Sequence, residues 1–304
     1  MLAASILILS GCNSYELFRV TGFEQATYNN NADIIFVIDT SGSMKEESSA
    51  LALNFDTFLN VLTSAEGSDV PRATLGDAVD NYVRESTGTG GIIDYQLAIT
   101  TTTADYGAAG TGSVDPGESG TLTGTVLKRG DANVGELFRE QLLCDTVYWK
   151  DSDIPSDTSY VPGDDGSCPL PSGKEIPREY LTCLCGGDSW VTEEGAGNEE
   201  GLEAALDAVC RGVEDPPEAC FAEDSPLVPG DTMSNEGMIR PGANTVIVIV
   251  SDEGDGSRRL ANTDPDITPY LEIFDQFPNV VRFAVIGPAY HDRDGSCLDS
   301  AQTW

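Results

Sequence analysis

Residues 33–44 read DIIFVIDTSGSM. Five apolar residues, Ile34 to Ile38, stop at an acid, and two serines around a glycine follow. An unbroken, β-branched run of this length reads as a strand covered on both faces, as in a parallel sheet. Val246–Val250 and Val280–Ile286 have the same character. Helical spacing lies between these runs. Leu51, Phe55, Phe58, Leu59 and Leu62 recur along 46–62, and Leu202, Leu206, Val209 and Cys210 along 199–211, where Gly212 supplies a stop. The stretch IIDYQLAITT at 92–101 predicts another strand, with a hairpin return near 121–127. Leu271, Ile273, Phe274 and Phe277 predict a helix ahead of Pro278. Residues 66–91 leave room for a short extra helix, and 105–120 read as Gly-rich loop. Strand and helix alternate without internal repeats, so the expected class is α/β with a central, mostly parallel sheet flanked by helices.

In such a sheet, ligands bind beyond the carboxyl ends of the strands. Asp39, Ser41 and Ser43 lie just past the first apolar run, and Asp252 just past the second, in VIVIVSDEGD. Two acids and two hydroxyls, with no His or Cys, make a candidate site for a hard divalent cation: Mg²⁺, Mn²⁺ or Ca²⁺ rather than zinc or copper. The competing reading is that Asp39 and Ser41 merely cap the helix starting near residue 45. Both stand at this level.

DxSGS after an apolar strand, with VSDE after a later one, resembles the von Willebrand factor type A (VWA) domain and its metal ion-dependent adhesion site. The likeness spans roughly residues 33–287 with long insertions, and implies a Rossmann-like VWA fold. It implies that Ser41 and Ser43 bind the metal directly, and that Asp39 and Asp252 do so directly or through water. An open position on the metal would then accept an acidic side chain from a protein partner. The chain departs from the family at one place. The usual threonine of TxxxxGL falls on Ala196, in EEGAGNEEGL, which has no oxygen to give. Glu193, Glu194, Asn198, Glu199, Thr103 and Asp105 are the candidates to replace it, with Glu199 preferred. A further carboxylate would over-neutralise the ion, favouring a structural role or Ca²⁺.

The remaining features bear on setting. Among 304 residues, 16 Lys and Arg face 51 Asp and Glu, a formal charge of -35. That balance disfavours nucleic acid and anionic lipid as partners and suits cations, though plain solubility explains it equally well. The leading run LAASILILSGC is too short to span a bilayer. Its end, Leu9-Ser10-Gly11-Cys12, resembles a bacterial lipobox, which implies lipidation at Cys12. A signal peptide normally opens with Lys or Arg, and residues 1–11 have neither. Asn13 after the cysteine points to the outer membrane in enteric-type bacteria. The expected layout is a lipoprotein signal peptide at 1–11, a tether at 12–32 and a VWA-like domain at 33–304. Membrane contact is expected only through the lipid anchor.

Cysteine usage agrees with export. Cys144, Cys168, Cys183, Cys185, Cys210 and Cys220 fall in a Pro/Gly/Asp-rich stretch and read as disulfides, with an insertion at about 144–195. Their pairing is left open. A thiolate zinc site is the weaker rival, since CLC lacks a two-residue spacer and no His is near. Cys297 is then odd, and no strand-like run follows Ile286, so a truncated C-terminus is expected. The acids of 252–256 read as a solvated turn ahead of a second cation site, and DRDGSCLD at 292–299 only faintly as a calcium loop. No enzyme is expected: His291 is the only histidine, and neither a Ser/His/Asp set nor a phosphate-binding GxxxxGK[ST] loop can be assembled. Two functions remain. One is a lipid-anchored envelope protein that mediates metal-dependent protein binding. The other is a metal-stabilised envelope scaffold whose Cys-rich insertion makes the contacts.

Overall fold

The first apolar run forms β1 (Asn31–Ile38), buried along nearly its whole length. The structure, a computed structural model, describes residues 31–63, 93–103, 119–149, 154–173, 175–187, 199–221, 227, 232–252, 254–257, 259–260 and 266–286. Flanking β1 are β2 (Asp94–Thr101) and β4 (Asn244–Val250), both parallel to it, so that Ile34 pairs with Leu97 on one side and Val246 on the other. β5 (Val281–Ile286) continues parallel to β4, and β3 (Thr123–Lys128) returns antiparallel along β2. The order is β3-β2-β1-β4-β5.

Side chains alternate across a strand, so β1 feeds two cores. Ile34, Phe36 and Ile38 face the layer made by α1 (Lys45–Thr63), α2 (Val134–Asp145) and α3 (Arg178–Leu184). Ile35 and Val37 face α4 (Gly201–Gly212) and α5 (Thr268–Phe274). Phe36 meets Phe55, Phe58 and Phe138 edge-on, with centroids 6.2, 5.8 and 5.0 Å away. Burying each such side chain stabilises the fold by about 1.5–3 kcal/mol. Helices therefore cover both faces of a mixed, mostly parallel sheet, as an α/β chain requires.

α4 is buried all round. Ala204, Ala205 and Ala208 are small and fully buried, and Gly120 packs so near that a Cβ there would run into the backbone of Asp207 and Ala208. Its charged residues are paired, as burial demands. Asp207 accepts from Ser119 Oγ at 2.5 Å, Arg211 Nε donates to the Ser119 carbonyl at 2.7 Å, and Glu203 holds Arg259. At the opposite end of the sheet, Arg240 grips Asp33 at 2.6 Å and Asp94 at 2.9 Å. Burial still raises the Asp33 pKa above its ordinary value, against that guanidinium.

α2 and α3 were not anticipated. Val134, Phe138 and Leu142 do follow helical spacing in α2, and Cys144 in its last turn leads into the irregular segment beyond. The cysteines also divide differently from one stapled loop. Cys144–Cys185 and Cys168–Cys183 are nested within the insertion, whereas Cys210–Cys220 ties α4 to the 3-10 turn Glu218–Phe221. No described cysteine is free. Among the described residues no helix is long and apolar enough to cross a membrane. The segments 1–11 and 66–91 lie outside the described residues, as do Cys12, Asp105, Glu193, Glu194, Ala196, Asn198, His291 and Cys297.

Candidate functional site

The helix after β1 lies on one face of the sheet and the helix after β4 on the other. The connections diverge there, which makes the carboxyl ends of β1 and β4 a topological switch point, where open sheets of this kind form a crevice. Strand bonding runs right up to this rim: Asp39 N donates to the Val250 carbonyl, and Thr102 N to that of Ile38, both at 2.9 Å.

Asp39, Ser41, Ser43 and Asp252 meet at that switch point. Asp39 is only 1% exposed. Its Oδ1 accepts from Ser41 N at 2.7 Å, and its Oδ2 from Ser251 Oγ at 2.6 Å. Ser41 Oγ lies 2.9 Å from Ser43 Oγ, and Ser43 Oγ donates to Asp252 Oδ1 at 3.2 Å. The capping alternative is thereby corrected. The Asp39 carboxylate closes a turn onto Ser41 and reaches across to Ser251, while α1 begins behind Met44, whose carbonyl accepts from Ser48 N.

Met44 is buried immediately behind the motif, so the two serines face the rim while the chain dives into the core. The next residue, Lys45, sets its ammonium 5.9 Å from the centre of the Trp149 ring, joining the start of the insertion to the start of α1.

Glu199 is buried, and its main chain reaches the same rim. Its carbonyl accepts from Gly256 N at 2.6 Å, and the neighbouring Glu200 N donates to the Thr102 carbonyl at 3.0 Å. Thr103 Oγ1 sits 3.2 Å from Thr40 Oγ1. Thr103 and Glu199 thus border the motif from two further segments.

The loop after Asp252 is more than a solvated turn: Gly254 and Gly256 are exposed, as expected of one, but Asp255 and Ser257 reach back to α4. Asp255 Oδ2 accepts from Leu202 N at 2.9 Å and Oδ1 from Ser257 N at 2.8 Å, while Ser257 Oγ accepts from Glu203 N at 3.0 Å. These oxygens satisfy the open amides at the start of α4, from residues far away in sequence. Burial, and next the Glu203 charge, push the Asp255 pKa up against the hydrogen bonds from Ser257 and Leu202. Arg259 then clasps Glu203 through two bonds of 3.1 Å, and Tyr270 OH donates to the same carboxylate at 2.6 Å. Sequence reasoning missed Ser251 and Ser257, and read Asp255 as part of a turn rather than as a partner of the α4 amides. Each is a short polar residue in a turn-rich stretch, and its partner is visible only in three dimensions.

Chemically, the rim offers two carboxylates and two hydroxyls, an all-oxygen set suited to a hard cation. Adjacent oxygens around an octahedral ion with bonds of about 2.1 Å stand about 3.0 Å apart, close to the spacings here. Among the described residues no three His, Cys, Asp or Glu side chains gather in one place; the acids at this rim are supplemented by hydroxyls. No family model, curated protein or solved structure matches this chain.

Proposed function

We propose that the switch-point rim binds a divalent cation, Mg²⁺ foremost with Mn²⁺ or Ca²⁺ as substitutes, and that the protein is a VWA-like binding module carried on a lipid-anchored envelope protein. One observation carries this reading: Ser43 meets Asp252 although 209 positions separate them, joining the two halves of the expected ligand set. When bound, the cation supplies an electrophilic position for a partner's carboxylate. Asp39 and Asp252 furnish the balancing negative charge. Ser41 and Ser43 furnish neutral oxygens and leave the site uncrowded.

The test is thermal unfolding of the purified protein in EDTA and then with each cation, for wild type and Asp39→Ala. A cation that binds only the folded state adds about 2.7 kcal/mol at a hundredfold excess over its dissociation constant. A rise that Asp39→Ala abolishes supports the reading. No rise with any cation, from a protein that folds, overturns it.

The second reading is a metal-stabilised scaffold contacting its neighbours through the insertion. It is favoured by Val161, in the insertion, which is 71% exposed and the one large hydrophobic so exposed among the described residues. Under that reading, partner binding follows Val161→Ser and survives Asp39→Ala.

A further inference from the structure

The cation reading needs Asp39 to present a carboxylate lone pair toward Ser41 and Ser43, and the DxSGS motif alone does not fix how that carboxylate is turned. Ser251 does. Its hydroxyl donates to Asp39 Oδ2 at 2.6 Å, in the range of strong, charge-assisted O–H···O⁻ bonds. Ser251 is 5% exposed, and its own amide donates to the Ile286 carbonyl at 3.0 Å, so β5 holds it in place. It cannot simply follow Asp39 if that side chain rotates. With Ser41 N on Oδ1 and Ser251 on Oδ2, the carboxylate plane is pinned at both ends. Each oxygen still keeps acceptor capacity for one more partner.

The adjoining residue makes the arrangement more specific. Asp252 receives Ser43, so two consecutive residues past β4 clasp two members of the motif past β1: Ser251 takes the acid and Asp252 the hydroxyl. A side chain in the first clasp orients a ligand without needing to touch the ion itself.

We infer that Ser251 is a positioning residue whose hydroxyl sets the orientation of Asp39 and thereby the affinity of the rim for its cation. This rests on the proposed cation reading. Losing an outer partner of a metal ligand typically weakens affinity by about 10- to 100-fold.

The experiment measures Mg²⁺ and Mn²⁺ affinity calorimetrically, well below the unfolding temperature, for wild type, Ser251→Ala and Ser251→Thr. The metal-free proteins are compared by their amide NMR spectra. Ser251→Ala is expected to weaken binding at least about tenfold. It should also shift the Ser41 amide resonance in the metal-free protein, because that amide donates to the same carboxylate. Ser251→Thr, which keeps the hydroxyl, restores both. A purely structural role would lower the unfolding temperature of Ser251→Ala and leave its dissociation constant at the wild-type value. Unchanged or tighter binding by folded Ser251→Ala overturns the inference while leaving the cation reading intact. Wild type that takes up neither ion, nor Ca²⁺ measured alongside them, overturns both. If Ser251→Ala fails to fold, Ser251→Cys, with similar volume and a weaker donor, carries the same comparison.

Discussion

Ser43 and Asp252 hold each other at 3.2 Å across the mouth of the sheet, one past β1 and the other past β4. The contact is solvent-exposed, and a single exposed hydrogen bond contributes little by itself. Its importance is geometric. The parallel pairing of β1 with β4 brings Ile38 level with Val250, so the residues just beyond each strand must meet.

A double-mutant cycle separates the two contributions. In chelator, Ser43→Ala and Asp252→Ala should be nearly additive, with a coupling of about 0–1 kcal/mol. With saturating cation they act on one site, and the coupling should rise toward about 1–3 kcal/mol. Urea unfolding of wild type, both single variants and the double variant, in each condition, measures it. Equal coupling in both conditions would argue against a shared ion.

The disulfides of the insertion should matter for stability and not for the rim. Cys144–Cys185 closes the longest loop, with a separation of 41, against 15 for Cys168–Cys183 and 10 for Cys210–Cys220. Replacing Cys144 and Cys185 by Ala together should cost about 2–5 kcal/mol in denaturant titrations. Cation affinity of the folded variant should stay within about twofold, because the Asp39 contacts arise from the sheet and its loops.

The Glu203 cluster predicts an asymmetry. Glu203 has no exposed side-chain surface, and Arg259 has 9%. Arg259→Ala leaves a buried carboxylate with only Tyr270 and its surroundings, and should cost about 3–5 kcal/mol. Glu203→Gln keeps an oxygen for Tyr270 and lets Arg259 swing toward water, so about 1–2 kcal/mol is expected. Chemical unfolding of both variants checks the order; equal losses would mean that the arginine has no route to solvent.

The strands were legible because each is an apolar run with an abrupt end. β1, β4 and β5 needed only their composition, and β2 its stretch at 92–101 with a hairpin return. The long helix α1 and the buried helix α4 showed their spacing plainly. α2 was not legible because its apolar spacing is short and its last turn, at Cys144, runs straight into the irregular Pro/Gly/Asp-rich chain beyond. At the rim, Asp39, Ser41, Ser43 and Asp252 stood out by position relative to strand ends. Ser251, Asp255 and Ser257 did not, since a serine or an aspartate in a turn gives no hint of a partner tens to hundreds of residues away. Local pattern carries periodicity; it does not carry cross-chain hydrogen bonds.

The same loop predicts a pH dependence. An unfolded chain titrates Asp255 near the ordinary value of 3.8, and the folded protein, through burial, holds that proton to higher pH. Below the unfolded value both states are protonated and the contribution to stability is fully present. As pH rises through the folded pKa, the fold must ionise a carboxyl shielded from water beside Glu203, and that contribution is lost. Asp255→Asn removes the titration while keeping one oxygen for Leu202 or Ser257. The stability of wild type minus that of Asp255→Asn should therefore fall as pH rises from about 3.5 to neutrality. Urea titrations at several pH values, in chelator so that the cation adds nothing, give the difference directly. A difference that grows with pH would mean that the hydrogen bonds from Leu202 and Ser257 outweigh burial, and that Asp255 caps α4 as a favoured anion.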